Sequence, residues 1–215
     1  MSVRDNKKTG EIPWSNLLED STTLDCDLQY VSEFLAEQEP YKTTESDGDP
    51  KIIYNGRVDL YKDSWAIRLW NNMRNIRMIT CEITCVLLNN ALAKDLAPAA
   101  RECMKLNLQE TMQTLSKLGD DILATVPQAL ESLCITSKSG SANQSFDGNV
   151  SGGYMLTWGL YMVGKSPAAT SGARQWIIRL LHDVFMNAGL SISLQIAEHI
   201  MRIDETAKYD STPQS

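Results

Sequence analysis

The stretch KDSWAIRLWNNMRNIRMITCEITCVLLNNALA, Lys62–Ala93, decides the fold. It holds no glycine and no proline, and its apolar positions step by three and four through Ala66, Leu69, Met73, Ile76, Thr80, Ile83 and Leu87. That period places them on one face of a long α-helix, marred only by Thr80. Trp65, Trp70, Ile79 and Val86 widen the stripe, so the helix is expected to lie buried among several others. Asp59 or Asp63 is placed to cap its N-terminus, because a short carboxylate accepts the first free amides of a helix. Just upstream, Ile52-Ile53-Tyr54 forms an apolar entry to the body and Gly56 turns the chain.

Working outward, a second helix is predicted from Ala97, with Pro98 in its first turn, where a missing amide costs nothing. Its stripe is Met104, Leu108, Leu115, Leu118 and Ile122, and Pro127 stops or kinks it. An apolar piece, Ala129–Ile135, leads into a Ser-, Gly-, Asn- and Lys-rich loop over 136–152. Gly152-Gly153 opens a third helix, Tyr154 to Val163. Ser171 caps a fourth, Gly172–Ala188, with Trp176, Ile177, Leu180, Leu181, Val184 and Phe185 on its core face. Gly189 suits a left-handed C-terminal cap. A last helix runs from Ser191 or Ser193 to Ile203. No strand alternation is evident. The chain therefore reads as all-α, a multi-helix regulatory-type domain over 51–203 with a polar tail over 204–215.

Residues 1–50 look different. They hold 4 basic and 12 acidic side chains, a balance of −8, whereas the remaining 165 residues hold 16 and 15. This front segment is expected to be largely disordered. Within it Leu24–Glu39 mixes acids with Leu28, Tyr30, Val31, Phe34 and Leu35. Such mixtures occur in activation segments; the plainer reading is a short amphipathic helix docked on the body.

The charge pattern argues against direct DNA binding, because neutralising phosphates requires a basic face and the body is near neutral. No apolar run is long enough to span a bilayer, and the N-terminus lacks the apolar core of a secretion signal. Without secretion the five cysteines read as reduced thiols.

Gly159-Leu-Tyr-Met-Val-Gly164-Lys165-Ser166 fits the phosphate-loop spacing G-x4-G-K-[ST], yet its surroundings read as helix and Pro167 sits where helix amides should face phosphates. It is better read as a helix end with Gly164 as the cap. Cys81 and Cys85, four apart, lack companion ligands, so no metal or cofactor is expected. His182-Asp183 point different ways on a helix, and Asp120-Asp121 reads as a solvated acidic pair, so no catalytic residues and no enzyme activity are expected. Asn71, Arg74 and Arg77, every third residue, form a polar stripe that should tie helices together through carbonyls or acids such as Asp120.

Four blocks resemble the regulatory domain of fungal-specific binuclear zinc cluster transcription factors. They are Gly56-Arg57-Val58-Asp59-Leu60-Tyr61 leading into Trp65-Ala66 and Trp70-Asn71-x-x-Arg74-x-x-Arg77; Leu118-Gly-Asp120-Asp121-Ile122-Leu-Ala124-Thr-Val126-Pro127; Gly152-Gly153-Tyr154-x-Leu156-x-Trp158-x-Leu160 closing in Gly164-x-Ser166; and Trp176-Ile177-x-x-Leu180 through Gly189-Leu190 to Gln195-Ile-Ala197. The zinc cluster itself needs six cysteines starting C-x2-C-x6-C, a spacing this sequence does not contain.

The resemblance implies a nuclear transcription regulator that acts through protein partners, either the transcription machinery or a homologous regulator, and that governs a metabolic gene cluster. It leaves room for a homodimer and for a small apolar effector, with Trp70, Asn71, Arg74, Trp158 and Tyr161 as effector-pocket candidates. The alternative is a cytoplasmic, non-transcriptional binding or scaffold protein, or the remnant of a truncated regulator.

Overall fold

The computed structural model describes residues 14–130 and 150–210. The elements are α1 (Trp14–Gln38), β1 (Lys42–Glu45), β2 (Arg57–Leu60), α2 (Ser64–Leu92), α3 (Pro98–Leu123), α4 (Val150–Lys165), α5 (Ser171–Ala188) and α6 (Ser191–Asp210). The all-α class stands, with one small antiparallel ribbon in register from Lys42 opposite Leu60 to Glu45 opposite Arg57. Strands this short leave no countable alternation in sequence. The loop between them closes at Asn55 (φ 52°) and Gly56 (φ 73°), both left-handed.

Local signals set the helix ends. The Asp63 carboxylate accepts the Ala66 amide at 2.9 Å and starts α2. Pro98 opens α3. Thr170, rather than Ser171, caps α5, its hydroxyl accepting the Ala173 amide at 3.1 Å. Gly189 (φ 68°) closes α5 in the left-handed cap that glycine favours. At the end of α3 the break falls at Ala124–Thr125, and residues 126–130 are helical again with Pro127 in that new first turn. The expected loop over 136–152 and the apolar piece ending at Ile135 fall largely outside the described residues; α4 already begins at Val150.

Helix α2 is the hub and packs against α1, α3 and α4, while α4 also packs against α5 and α6. The main core gathers Met78, Cys81 and Cys85 of α2, Leu115 and Ile122 of α3, Leu160 of α4, Ile177 and Leu181 of α5 and Ile200 of α6. The stripe expected to be buried is only partly so: Ala66 and Thr80 are buried and Leu69, Met73 and Leu87 half-buried. Ile76 and Ile83 are 48% and 51% exposed, and Trp65, Ile79 and Val86 are exposed as well. The buried line is Ile67, Trp70, Asn71, Arg74, Met78, Cys81, Cys85 and Leu88, turned about 100°, one residue, from the expected one. Apolar residues lie on both sides of this helix, so periodicity alone fixes its phase only to within about one residue.

Two expectations about the chain ends are corrected. Residues 14–38 are helical rather than disordered, and 42–45 form a strand. The helix over Leu24–Glu39 is present but starts ten residues earlier. Its acids looked too many for an ordered segment, yet Asp25 is bound by Arg77 of α2 through two hydrogen bonds. Residues 1–13 lie outside the described part. At the other end α6 runs past Ile203 to Asp210, and Asp204, expected in the polar tail, is buried. It accepts a hydrogen bond from the Ser171 hydroxyl at 3.1 Å and lies 3.7 Å from Arg174.

Gly164 is not a cap. The helix continues through it to Lys165, and a Cβ there would stand 2.4 Å from Ile200 Cδ1. The glycine lets α4 and α6 approach closely. Among the described residues, no helix is long and apolar enough to cross a membrane.

Candidate functional site

The polar heart of the molecule forms where β2, α2 and the end of α3 meet. Asp59 on β2 is fully buried. Arg57 donates to it twice, from Nε at 3.1 Å and Nη2 at 2.9 Å, and Thr43 on β1 donates at 2.8 Å. The other side of the Arg57 guanidinium reaches Asp121 of α3 at 2.7 Å. Burial alone would lower the basicity of Arg57, but hydrogen bonds to Asp121 and Asp59 outweigh it and the pKa is raised.

Backbone bonds clamp β2 onto the α3 end. The Asp59 amide donates to the Ala124 carbonyl at 2.9 Å. One residue pair on, the Gln128 side chain acts like a neighbouring strand: its Oε1 accepts the Tyr61 amide at 2.7 Å and its Nε2 donates to the Tyr61 carbonyl at 2.8 Å. A side-chain amide offers one donor and one acceptor, the pair a strand edge requires.

Arg74 enters this network from α2. Its Nη1 donates to Asn71 Oδ1 at 3.2 Å, and Asn71 in turn donates to the Thr125 hydroxyl at 3.0 Å. The guanidinium carbon lies 5.3, 5.8 and 5.2 Å from the ring centres of Tyr41, Tyr61 and Trp70. Three aromatic faces thus surround a buried cation that sits 3.9 Å from Asp59. Trp70 is itself anchored, its indole donating to the Glu39 carbonyl at 2.8 Å. Arg74 Nη2 and the Tyr61 hydroxyl are buried without a hydrogen-bond partner among the described residues. Burial pushes the Tyr61 pKa up, keeping the phenol neutral beside its two aromatic neighbours.

Beside this cluster lies a cleft of about 380 Å³ between α1, α2 and α3, lined by Glu33, Trp70, Arg74, Arg77, Lys117 and Asp121 among others. Its lining mixes charged groups with apolar surface from Ala36, Trp70 and Leu118.

The five effector-pocket candidates fall into two groups. Trp70, Asn71 and Arg74 sit together as described. Trp158 and Tyr161 of α4 pack on each other at 5.5 Å, and Tyr161 meets His199 of α6 at 5.7 Å. Neither lines the cleft beside Trp70.

The polar stripe Asn71, Arg74, Arg77 does end on other elements, on Thr125, Asp59 and Asp25 respectively. Asp120, offered as an example of a partner, stays exposed, while its neighbour Asp121 is buried and paired with Arg57. The two acids read as one solvated pair in sequence, but the helix turns them to opposite environments.

The phosphate-loop spacing is spent on packing: Lys165 pairs with Glu82 of α2, Ser166 is buried, and Gly164 meets Ile200. Cys81 is buried 3.9 Å from Asp25, and burial with that neighbouring acid pushes its thiol up to about 12. Among the described residues, no group of three His, Cys, Asp or Glu side chains is placed to hold a metal ion. His182 and Asp183 are both exposed.

Sequence reasoning gave no site role to Asp59, Tyr41, Tyr61, Thr125, Gln128 and Asp25, although Asp59, Tyr61 and Thr125 fall within the resembling blocks. The one local hint was a lone acid in the apolar run Val58-Asp59-Leu60; the others acquire their partners only across the fold. Compared with family models, with curated proteins and with solved structures, the chain gave no match.

Proposed function

We propose that the chain is a protein-contacting regulatory domain in the control of transcription, of the type it resembles in fungal zinc cluster factors. The observation that carries the reading is the outer face of α2. Ile76, Ile79, Ile83 and Val86 stand exposed in one row, with Trp65 a little before them. A helix already buried along Ile67, Trp70, Met78 and Leu88 that also carries an aliphatic row on its outer face is suited to contact with another protein, since exposed apolar patches mark interaction surfaces.

The arrangement of the resembling blocks adds support. Arg57 of the first block is bound to Asp121 of the second, and Asn71 of the first to Thr125 of the second. Residues singled out by order and spacing alone thus depend on one another physically. The near-neutral body fits a role through proteins rather than direct contact with DNA. The cleft beside Trp70 and Arg74 is where an effector would bear on the domain, its lining part charged and part apolar.

The test is to fuse the chain to an unrelated DNA-binding module in fungal cells, read a reporter, and follow the untethered chain by microscopy. Changed reporter output with nuclear accumulation is expected. Cytosolic residence with no effect on the reporter would return the chain to the scaffold alternative.

A further inference from the structure

We infer that the outer face of α2 is the seat of a two-fold dimer of this chain, formed by antiparallel pairing of α2 with α2 of a second copy. The inference rests on the exposed row and not on a transcriptional role. The row is Asn72, Ile76, Ile79, Ile83, Val86 and Asn90, in steps of four, three, four, three and four, and every member is exposed. Alternating steps of three and four are the seam of two packed helices, which cross at about 20°.

The row reads the same in both directions. With two copies laid antiparallel and centred at the level of Cys81, Asn72 faces Asn90 of the second copy, Ile76 faces Val86, and Ile79 faces Ile83. Aliphatic meets aliphatic through the middle, and at each end an amide meets an amide that can donate to it and accept from it. A two-fold interface demands this property, because whatever residue i meets on the second copy must in turn be met by i. Antiparallel pairing also sets the two helix dipoles against each other favourably.

The area is sufficient. Going round α2, α3 lies against Met78, α1 against Arg77 and Thr84, and α4 reaches Glu82. The outer row occupies the sector left between α1 and α4. On α1 the side turned to α3 carries Leu18, Thr22 and Gln29; the opposite side of its seam with α2, which borders the row, carries Leu17, Leu24 and Val31, seven apart and all exposed. With Trp65 these side chains offer on the order of 700 Å² of apolar surface, close to the ~800 Å² each partner gives to a standard specific interface.

Sedimentation equilibrium on the full chain tests this. The wild type is expected at twice 24.0 kDa, and Ile79→Glu/Ile83→Glu at 24.0 kDa with unchanged helix content. Orientation is read by disulfide trapping with Cys26, Cys103 and Cys134 replaced by serine. A mixture of Ile76→Cys and Val86→Cys chains is expected to give the mixed dimer, whereas Ile76→Cys alone gives none, because two copies of that position stand about 15 Å apart along the axis. Three results overturn the inference: a wild type that stays at 24.0 kDa throughout the micromolar range, a dimer that survives the double glutamate, or trapping of Ile76→Cys with itself but not with Val86→Cys. A wild-type monomer that dimerises once residues 131–149 are removed would mean that the chain covers the row itself, and it counts against the inference equally.

Discussion

Arg77 of α2 holds Asp25 of α1 by both oxygens, Nε to Oδ1 at 3.0 Å and Nη2 to Oδ2 at 3.1 Å. This pair joins the acidic front segment to the near-neutral body. Two parallel charge-assisted bonds fix orientation as well as distance. Beside them the Ser21 and Thr84 hydroxyls share a bond of 2.6 Å, so α1 is seated on α2 by a short polar ladder. A double-mutant cycle with Asp25→Ala and Arg77→Ala should give a coupling of about 1–2 kcal/mol in urea unfolding, reduced by the partial exposure of both groups. Each single variant should also open α1 to limited proteolysis before the rest of the body. Additive effects would mean that the Asp25–Arg77 pair does not help to seat α1.

Asp59 is a harsher case. It is fully buried and compensates Arg57 while facing the Arg74 cation. Asp59→Ala leaves that buried positive charge without its carboxylate, a loss of about 3–5 kcal/mol. Given the marginal stability of ordinary domains, the variant should be largely unfolded or expressed poorly, as circular dichroism at 25 °C would show. A loss under 1 kcal/mol would mean that Asp121 suffices for Arg57 and the aromatic rings for Arg74.

Gly164→Ala tests the closeness of α4 and α6. The added methyl meets Ile200 at 2.4 and 2.9 Å, and Ile200 is fully buried. Overpacking of this kind costs about 1–3 kcal/mol. Ile200→Val in the same chain should recover part of the loss even though it is destabilising on its own; thermal unfolding of the three variants gives the sign of the coupling.

The cysteines give a pH prediction. Cys81 ionises near 12 in the folded protein against an ordinary thiol value of 9.0. Above pH 9 the unfolded chain releases this proton while the folded one retains it. Stability is therefore fully present below pH 9 and declines as pH rises towards 12, because the folded state holds more protons than the unfolded one. Cys81→Ala should flatten the decline measured by urea unfolding at pH 8, 9 and 10. In the native protein Cys26 and Cys103, both exposed, should react with a thiol reagent at once, and Cys81 and Cys85 only on unfolding.

Helices α2, α3 and α5 were legible because their ends are written locally: Asp63, Pro98 and Gly189 act within one turn of themselves; α1 was not, because the acids of its segment find their partner only on α2. The phase of α2 was not. Asn71 and Arg74 look like surface residues until Thr125, Asp59 and three aromatic rings are brought to them, and Tyr41, Asp59 and Thr125 lie 30, 12 and 54 positions from Asn71. Burial of a polar group depends on its partners, and partners at that range leave no mark on local periodicity. Of the five effector-pocket candidates, Trp70, Asn71 and Arg74 come together in the polar cluster, while Trp158 and Tyr161 belong to a different contact, with His199.

The most direct test of the account is the reporter output of the tethered chain, wild type against Ile79→Glu/Ile83→Glu, with protein level and helix content matched. Both isoleucines are exposed, at 41% and 51%, so the fold tolerates the change. The account predicts that the wild type alters the output and the variant does not. A variant that works as well as the wild type would contradict it, for then the outer face of α2 would not be the surface through which the domain acts.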